Sequence, residues 1–545
     1  MLTKDNKTGR ARSGFFNGVV LLSASTLICK VIGLFFKIPI INIVGIDGMA
    51  YFSSAYNIYM LLNSIAAAGL PVALSIMVSK NSTVGNRANV RKTFSVALTL
   101  FLILGVLGML CLYFGADVYS DAIGITESSS AVRAIAPTLL FICISGAVRG
   151  YFQGHEIMAP TAVSQLLESL GKLFLGVGFA FAAVNLGYDS SHTAAAAVAG
   201  LSAGVLISMI YLLARLALFG KTKVYKSLPK VKSTADGKRK IIHDLFVIAL
   251  PITFSSCITS LTSLADTALI TNRLTSGGLA EDAAVTLYSS YTNLAIPLFN
   301  LPPALITPIA VSLVPALTSS ITRKATAESS RIFSSSIRLC TALAIPAAAG
   351  MSVYAHPILD LIYPGEPEAC AFAAPLLSVL SIAILFSCLT TVTNAVLQTY
   401  MKPGLPIVSM AVGAVVKVVA EYVLVGSDIG IMGAPISTVA CTFTILLLNL
   451  TFITIHTPHR FELGMLLRVF FASALSIGSS AVIYCLLGKT MIASYIVLML
   501  TIITAVLLYA ICALLLGIVR YSDIKRLPFG ERIGNILKRI KLIKE

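Results

Sequence analysis

The sequence predicts an all-α polytopic membrane protein, and three observations carry that prediction. Of the 545 residues, 57% are hydrophobic and only 12% are charged. A soluble protein of this size could not bury so much apolar surface, and the apolar residues gather in long runs. The basic residues lie in short segments between these runs, a pattern typical of membrane orientation. Nucleic acid is therefore not expected as a partner, although the net charge is +17.

Fourteen apolar runs are long enough to cross a bilayer as helices. The predicted spans are 14–43, 52–79, 93–115, 132–152, 160–186, 193–219, 243–271, 285–317, 333–362, 371–398, 405–425, 431–455, 464–487 and 492–518. The first run is too long for the apolar core of a signal peptide, so it is predicted to be the first transmembrane helix.

Charge alternates between successive loops and predicts the orientation. Nine basic residues lie between Arg215 and Lys240, and eight lie from Arg520 onward. The alternate loops are acidic, as at Glu366 and Glu368. Because basic loops face the cytoplasm, both termini are predicted to be cytoplasmic, which requires an even number of spans.

The basic segment 220–241 divides the predicted helices into two lobes. Residues 1–219 form an N-lobe of spans 1–6, and residues 242–456 form a C-lobe of spans 7–12. Spans 13 and 14 follow within 457–518, and a basic cytoplasmic tail covers 519–545. The expected location is the plasma membrane of a bacterium.

The two lobes carry a weak internal repeat. The stretch NSIAAAGLPVALS begins at Asn63 and NLPPALITPIAVS begins at Asn300, a separation of 237 residues. A glutamine stands nineteen residues before Lys172 and also before Lys417, a separation of 245 residues. Because each lobe has an even number of spans, the repeats are predicted to be parallel, with the substrate path between them.

Two lysines inside span 1 are the most informative charges. Lys30 lies about 24 Å along the helix, near or beyond the centre of the bilayer, where an unpaired cation costs roughly 2.5–3.5 kcal/mol. Lys37 shares its helix face seven residues later. Lys30 is predicted to line a hydrated cavity, whereas Lys37 could also extend its ammonium to the outer interface.

Three further pairs of intramembrane residues are candidates for the substrate path: Glu168/Lys172, Lys417/Glu421 and Asp266/Arg273. Glu168/Lys172 and Lys417/Glu421 are spaced i, i+4 and can pair on one helix face. For these lysines, a structural ion pair and a contact with substrate both remain open.

Asp266 and Arg273 lie near the outer end of span 7, where a structural pair is the alternative to a substrate role. The unpaired deep charge in the sequence is positive, which favours an anionic substrate and phosphate above all. An exporter of cations would instead be expected to place unpaired carboxylates in the path.

An enzyme is not expected. The sequence lacks metalloprotease, nucleophile-elbow and phosphate-loop motifs, and no loop is long enough to fold as a separate domain. The ten cysteines are scattered singly, as for small apolar residues between helices. His456 and His459 are only a weak indication of a metal-binding site. No metal and no cofactor are therefore predicted.

Several segments resemble the stage V sporulation protein B group of polysaccharide-biosynthesis proteins, within the multidrug/oligosaccharidyl-lipid/polysaccharide exporter superfamily. They are ICKVIGLFFKIPIINIVGIDGMAYFSSAYNIYMLLNSIAAAGLPVALSIMVSK (28–80), RGYFQGHEIMAPTAVSQLLE (149–168), LADTALITNRL (264–274), NLPPALITPIAVSLVPALTSS (300–320) and LQTYMKPGLPIVSMAVGAVVK (397–417). The resemblance runs over essentially the whole chain.

The resemblance implies two six-helix lobes around a central cavity, two additional C-terminal helices, and export of a lipid-linked sugar. In the related MurJ-type lipid II flippases, basic residues line the cavity, and Lys30 and Lys37 lie where those relatives carry arginines. Lys172, Arg273 and Lys417 stand where the sporulation group tends to be basic. The arginines of those flippases near Asn63 and near Pro297 are absent here, so their pyrophosphate contacts cannot be transferred.

The sequence therefore predicts a flippase that moves a lipid-linked peptidoglycan precursor, lipid II, to the outer leaflet by alternating access. Another lipid-linked polysaccharide as cargo, a cation-coupled drug exporter and a non-transporting scaffold are the alternatives. The predicted polar residues of the cavity, beside the five cations, are Asn63, Glu168, Asp266, Asn300 and Glu421. Membrane lipids are expected partners. A coupling ion and cell-wall synthesis enzymes stay open as further partners. The membrane potential stays open as the energy source in place of a coupling ion.

Overall fold

A computed structural model describes residues 5–65, 69–155, 157–219, 236–400, 402, 404–457, 463–487 and 494–518. Every regular element among these residues is helical, which confirms the all-α prediction. Within this part of the chain, 12 helices are long and apolar enough to cross a membrane. The multi-pass architecture is therefore confirmed, whereas the count of fourteen spans and the side of the termini stay predictions.

The chain divides into two compact units, Met1–Ser289 and Ser290–Glu545. The helices of the first unit are α1 (Asp5–Asn63), α2 (Gly69–Thr83), α3 (Arg87–Phe114), α4 (Ala116–Ala122), α5 (Ser129–Gly154), α6 (Ala159–Asn185), α7 (Ser190–Phe219), α8 (Lys238–Ser276) and α9 (Glu281–Ser289). Predicted span 1 and the first part of predicted span 2, up to Asn63, thus share one helical run, which kinks at Gly45, whereas the last part of span 2 lies in α2. The φ of 77° at this position is one that glycine adopts without strain.

Glycines bring α6 and α7 unusually close. A Cβ atom placed on Gly171 would lie 2.6 Å from the Cα atom of Gly204, and one on Gly204 would lie 2.6 Å from the backbone nitrogen of Lys172. No side chain fits at either position. Small residues at such contacts allow membrane helices to pack backbone against backbone.

Helix α8 packs within the first unit, although the sequence analysis assigned it to the C-lobe. It contacts α1 and α2. Ser64 Oγ and Ser260 Oγ lie 2.7 Å apart, and Asn57 Nδ2 donates to Thr267 Oγ1 at 2.9 Å. The first compact unit therefore includes predicted span 7, and the division into two repeats of six spans stays a prediction.

The end of the basic segment is tied to the start of α3. Asn89 Nδ2 donates to Asp236 Oδ2 at 2.8 Å, and the Asp236 N–H donates to Asn89 Oδ1 at 3.1 Å. Lys240 Nζ also donates to Asp236 Oδ1 at 2.8 Å. The hydrogen bonds from Lys240 and Asn89 hold the pKa of Asp236 below its usual value. These contacts fix the point at which α8 begins.

The second unit opens with a π-helical turn, Ser290–Ala295. The helices that follow are α10 (Ile296–Phe299), α11 (Leu301–Thr322), α12 (Thr326–Val353), α13 (Ala355–Ile362), α14 (Pro367–Leu380), α15 (Ile382–Thr399), α16 (Gly404–Val425), α17 (Gly433–His456), α18 (Leu463–Leu487) and α19 (Ser494–Leu515). Predicted span 8 (285–317) is therefore interrupted rather than one continuous helix. Pro297, Pro302 and Pro303 explain the interruption, because proline offers no backbone N–H to a helix.

The last two helices pack against α12. Val469 on α18 and Ala513, near the end of α19, are buried together with Ala342 in one apolar cluster. Tyr509 Oη donates to the Ala342 carbonyl at 2.7 Å, and Tyr354 Oη lies 2.6 Å from Ser480 Oγ. Predicted spans 13 and 14 therefore form part of the second compact unit.

The close packing of α6 on α7 predicts a position-dependent effect of side-chain size. Gly171→Val places two methyl groups against the backbone of α7 and is expected to cost about 1–3 kcal/mol of stability. Gly178→Val on the same helix is the matched control, since nothing lies within 4 Å of a Cβ atom there. Thermal unfolding in detergent should show a lowered midpoint for Gly171→Val alone. Equal midpoints for the two variants would contradict the described packing.

Candidate functional site

A charged cluster lies where α5 and α6 meet in the first unit. Glu168 Oε1 accepts a hydrogen bond from Lys172 Nζ at 2.7 Å, and Glu168 Oε2 accepts one from Arg149 Nη2 at 2.8 Å. The exposed fractions of these side chains are 14% for Glu168, 18% for Arg149 and 22% for Lys172. The i, i+4 contact that the sequence predicts is therefore present, with an arginine from the neighbouring helix added to it.

Arg149 connects three helices. Its Nε donates to Ser164 Oγ on α6 at 2.9 Å, and its Nη2 donates to Ser208 Oγ on α7 at 3.1 Å. Ser208 Oγ in turn donates to the Ser164 carbonyl at 2.9 Å. The planar guanidinium suits this arrangement because its donors point in fixed directions. The glycines described above bring α7 close enough for Ser208 to take part.

The cluster contains two cations and one carboxylate, so it carries one surplus positive charge. Removing one partner from a buried ion pair typically costs about 3–5 kcal/mol, because the other charge is then left uncompensated. Glu168 has two cationic partners, so either one alone can keep the carboxylate paired. The surplus charge makes the cluster suited to attract an anion. Lys172 is the fourteenth of the 27 residues of α6, which places the cluster near the middle of that helix.

The predicted repeat relates residues of the second unit to those of the cluster. Lys417 and Glu421 on α16 are 9% and 0% exposed. The 245-residue repeat that relates Lys172 to Lys417 aligns Arg149 with Asn394. Asn394 Oδ1 accepts a hydrogen bond from Asn449 Nδ2 on α17 at 2.7 Å. In this unit, a neutral amide therefore connects α15 to α17, where the arginine of the first unit connects α5 to α6 and α7.

The structure places the other predicted cations on two helices of the first unit. Lys37 on α1 is partly buried, whereas the side chain of Lys30 lies outside the described residues. On α8, Asp266 is 7% exposed and Arg273 is partly buried. A substrate role for each of these residues stays a prediction.

Both asparagines that the repeat aligns stand at helix ends. Asn63 is the last residue of α1, and its Oδ1 is buried without a hydrogen-bond partner among the described residues. Asn300 is exposed at the junction of α10 and α11, where its N–H donates to the Ile296 carbonyl at 3.0 Å.

Two arginines were missed by the sequence analysis. Arg149 lies inside predicted span 4 (132–152), and Arg338, which is 7% exposed on α12, lies inside predicted span 9 (333–362). Each stands within an apolar run, which is the same signal that identified the lysines. Across the described residues, no group of three or more His, Cys, Asp or Glu side chains could hold a metal ion. His456 is exposed, and His459 lies outside the described residues.

Comparison with known proteins connects this architecture to a family. Residues 15–321 match the family model described as polysaccharide biosynthesis protein, and residues 251–423 match the model described as MatE. The lipid II flippase MurJ of Bacillus subtilis is 28% identical over an alignment of 434 residues, which covers 76% of this chain and 78% of MurJ. The stage V sporulation protein B of the same organism is 26% identical over 81% of this chain and 83% of its own length.

Solved structures show the same fold. A structure of the lipid II flippase MurJ in an inward closed conformation has a TM-score of 0.70 and 13% identity, covering 93% of this chain and all of that one. An inward-facing multidrug resistance transporter of the MATE family has a TM-score of 0.65 and 16% identity, covering 80% and 97% of the two chains. These proteins are named as a flippase and a transporter, not as enzymes. The predicted resemblance is confirmed, and because the first family model matches more than half of the chain, this multi-pass bacterial membrane protein belongs to the polysaccharide biosynthesis protein family.

Proposed function

We propose that the chain is a flippase that moves a lipid-linked oligosaccharide from the inner to the outer leaflet, and that its cargo is lipid II. The observation that carries the proposal is the surplus positive charge of the cluster of Arg149, Glu168 and Lys172. A pyrophosphate offers several anionic oxygens to such cations. The similarity to a protein named lipid II flippase and to one named for sporulation supports a cell-wall or spore-cortex precursor as the cargo.

The proposed transport path is lined by cations that bind the pyrophosphate and by polar groups that bind the sugars. Beside Lys172, the proposed cations are Lys30, Lys37, Arg273 and Lys417. The lipid tail would stay in the bilayer along α18 and α19. Alternating access of two lobes would then expose the headgroup on each side in turn. We include fourteen spans and cytoplasmic termini in this proposal, with the membrane potential or a coupling ion as the energy source.

A cation-coupled drug exporter is the second candidate, because residues 251–423 match the MatE model. Such a transporter needs carboxylates that can take up a cation. In the first unit, Glu168 is already paired with Arg149 and Lys172, which leaves the cluster better suited to an anion. The charge of the cluster therefore favours the flippase.

Proteoliposomes containing headgroup-labelled fluorescent lipid II test the proposed activity. The protein should expose labelled headgroups to an impermeant quencher on the opposite side, whereas empty liposomes should not. Lys172→Gln should lower the initial rate about tenfold or more, since a hydrogen bond to a charged group contributes about 1.5–3 kcal/mol. Arg215→Gln is the matched control, because Arg215 is exposed near the end of α7.

Transport of a lipid-linked polysaccharide of a different pathway, with no transport of lipid II, would keep the flippase and change the cargo. Transport of cationic drugs without any lipid-linked sugar would favour the second candidate. An unchanged rate in Lys172→Gln at normal abundance would contradict the role of the cluster.

The proposed orientation predicts which substituted cysteines are reached from outside. Ala280→Cys, in a loop, and Glu368→Cys, in the first turn of α14, occupy exposed positions assigned to the outer side, whereas Gly237→Cys lies at the start of α8, which is assigned to the inner side. An impermeant maleimide should label the first two in intact cells and the third only after permeabilisation. The unsubstituted chain measures the background from its ten native cysteines. Labelling of Gly237→Cys in intact cells would reverse the orientation.

The span 1 lysines are expected to affect transport but not insertion. Lys30→Gln and Lys37→Gln remove an intramembrane charge, which favours insertion, so both variants should reach normal membrane levels. Both should lose flipping, and Lys→Arg should retain part of it because the charge is kept. Complementation of a strain that depends on this protein, with membrane levels measured by blot, checks the prediction. Full complementation by Lys30→Gln would remove Lys30 from the proposed path.

A further inference from the structure

The three charged side chains of the first-unit cluster are anchored unequally. Arg149 donates hydrogen bonds to Ser164, Glu168 and Ser208, so three acceptors on two helices hold its guanidinium. Lys172 Nζ donates to Glu168 Oε1, its one hydrogen-bond acceptor among the described residues. Lys172 is also the most exposed of the three charged side chains. The lysine is therefore the member of the cluster that can move at the lowest cost.

Each carboxylate oxygen of Glu168 has its own cation. If the ammonium of Lys172 moved away, Arg149 would still hold Oε2 at 2.8 Å, and the buried carboxylate would keep a counterion. A lysine ammonium has three N–H donors on a flexible four-carbon chain. It can therefore exchange one acceptor oxygen for another without a change in the backbone.

We propose that Arg149 is a positioning residue that remains the counterion of Glu168 throughout transport. It thereby allows the ammonium of Lys172 to exchange its hydrogen bond to this carboxylate for one to a phosphate oxygen of the transported headgroup. The inference rests on the proposed function and adds a role for a residue that does not itself touch the cargo. Without Arg149, Glu168 has Lys172 as its remaining counterion in the cluster, and the lysine is held back from the phosphate. After the headgroup leaves, the carboxylate of Glu168 again accepts the hydrogen bond from Lys172.

Comparison of the two predicted repeats assigns this exchange of hydrogen-bond acceptors to the first unit. Asn394, which aligns with Arg149, is neutral and binds Asn449 instead of supplying a positive charge. The lysine that aligns with Lys172 is Lys417, which is 9% exposed and has an acidic residue four positions after it rather than before it. The exchange is therefore assigned to Lys172 alone.

Affinity measurements on charge-balanced variants test the inference. Purified variants in detergent are titrated with undecaprenyl pyrophosphate, and their thermal midpoints are recorded in parallel. Arg149→Gln should weaken binding about tenfold, a difference of about 1.4 kcal/mol, because Glu168 then retains Lys172. Arg149→Gln combined with Glu168→Gln should restore binding close to that of the unsubstituted chain, because the competing carboxylate is also removed.

The substitution Arg149→Lys distinguishes a positioning role of Arg149 from an effect of the net charge of the cluster on binding. It keeps a cation beside Glu168 but loses the rigid fork that reaches both serines, so binding should weaken when Lys172 is present. The same substitution in a Lys172→Gln background should cause no further loss, because Arg149 acts through Lys172. An equal loss in both backgrounds would overturn the inference and assign Arg149 a direct or purely electrostatic contact.

Measurements on the unsubstituted chain distinguish a failure of the positioning role from a failure of the proposed function. If it binds undecaprenyl pyrophosphate and flips lipid II, but Arg149→Gln with a normal thermal midpoint binds equally well, only the positioning role is overturned. If the unsubstituted chain neither binds this lipid nor transports any lipid-linked sugar, the proposed function fails and the inference fails with it.

Discussion

The carboxylate of Glu168 is the group on which the charged cluster of Arg149, Glu168 and Lys172 depends. A carboxylate at the middle of an apolar helix bundle is tolerated only with a partner, and here it has one cation on each oxygen. Arg149 reaches it from α5 and is held in turn by serines of α6 and α7. The three helices must therefore keep a fixed spacing. Gly171 and Gly204 permit that spacing, because no side chain stands between the two backbones.

Stability alone is a weak explanation for such a cluster. Apolar residues of similar volume often replace a buried ion network without loss, and sometimes with a gain, of stability. Intramembrane charges are also costly to insert and for that reason usually mark transport paths. The unequal anchoring of Arg149 and Lys172 agrees with a functional explanation, since a purely structural network gains nothing from a lysine that donates to one acceptor and is 22% exposed.

The sequence predicted those features that depend on short distances along the chain. Apolar runs predicted the membrane helices, and i, i+4 spacing predicted the contact between Glu168 and Lys172. The contact of Arg149 with Glu168 crosses from one helix to another, and sequence spacing alone cannot indicate which helices pack. For the same reason the packing of α8 on α1 and α2 within the first compact unit was not predicted. The interruption of span 8 could have been predicted, because its prolines are visible in the sequence.

The predicted repeat places different chemistry at Arg149 and Asn394, and this difference bears on the proposed binding of one headgroup. If the proposed cargo is a lipid-linked pyrophosphate, the same cationic cluster in each unit would give its headgroup two competing sites. The repeat instead aligns Arg149 with Asn394 and keeps a lysine in each half, with its acidic neighbour on opposite sides along the helix. The amide at Asn394 can join α15 to α17 through Asn449 without adding charge. If the two units are repeats, as the sequence predicts, Asn394 joins α15 to α17 in the second unit without the positive charge that Arg149 adds in the first.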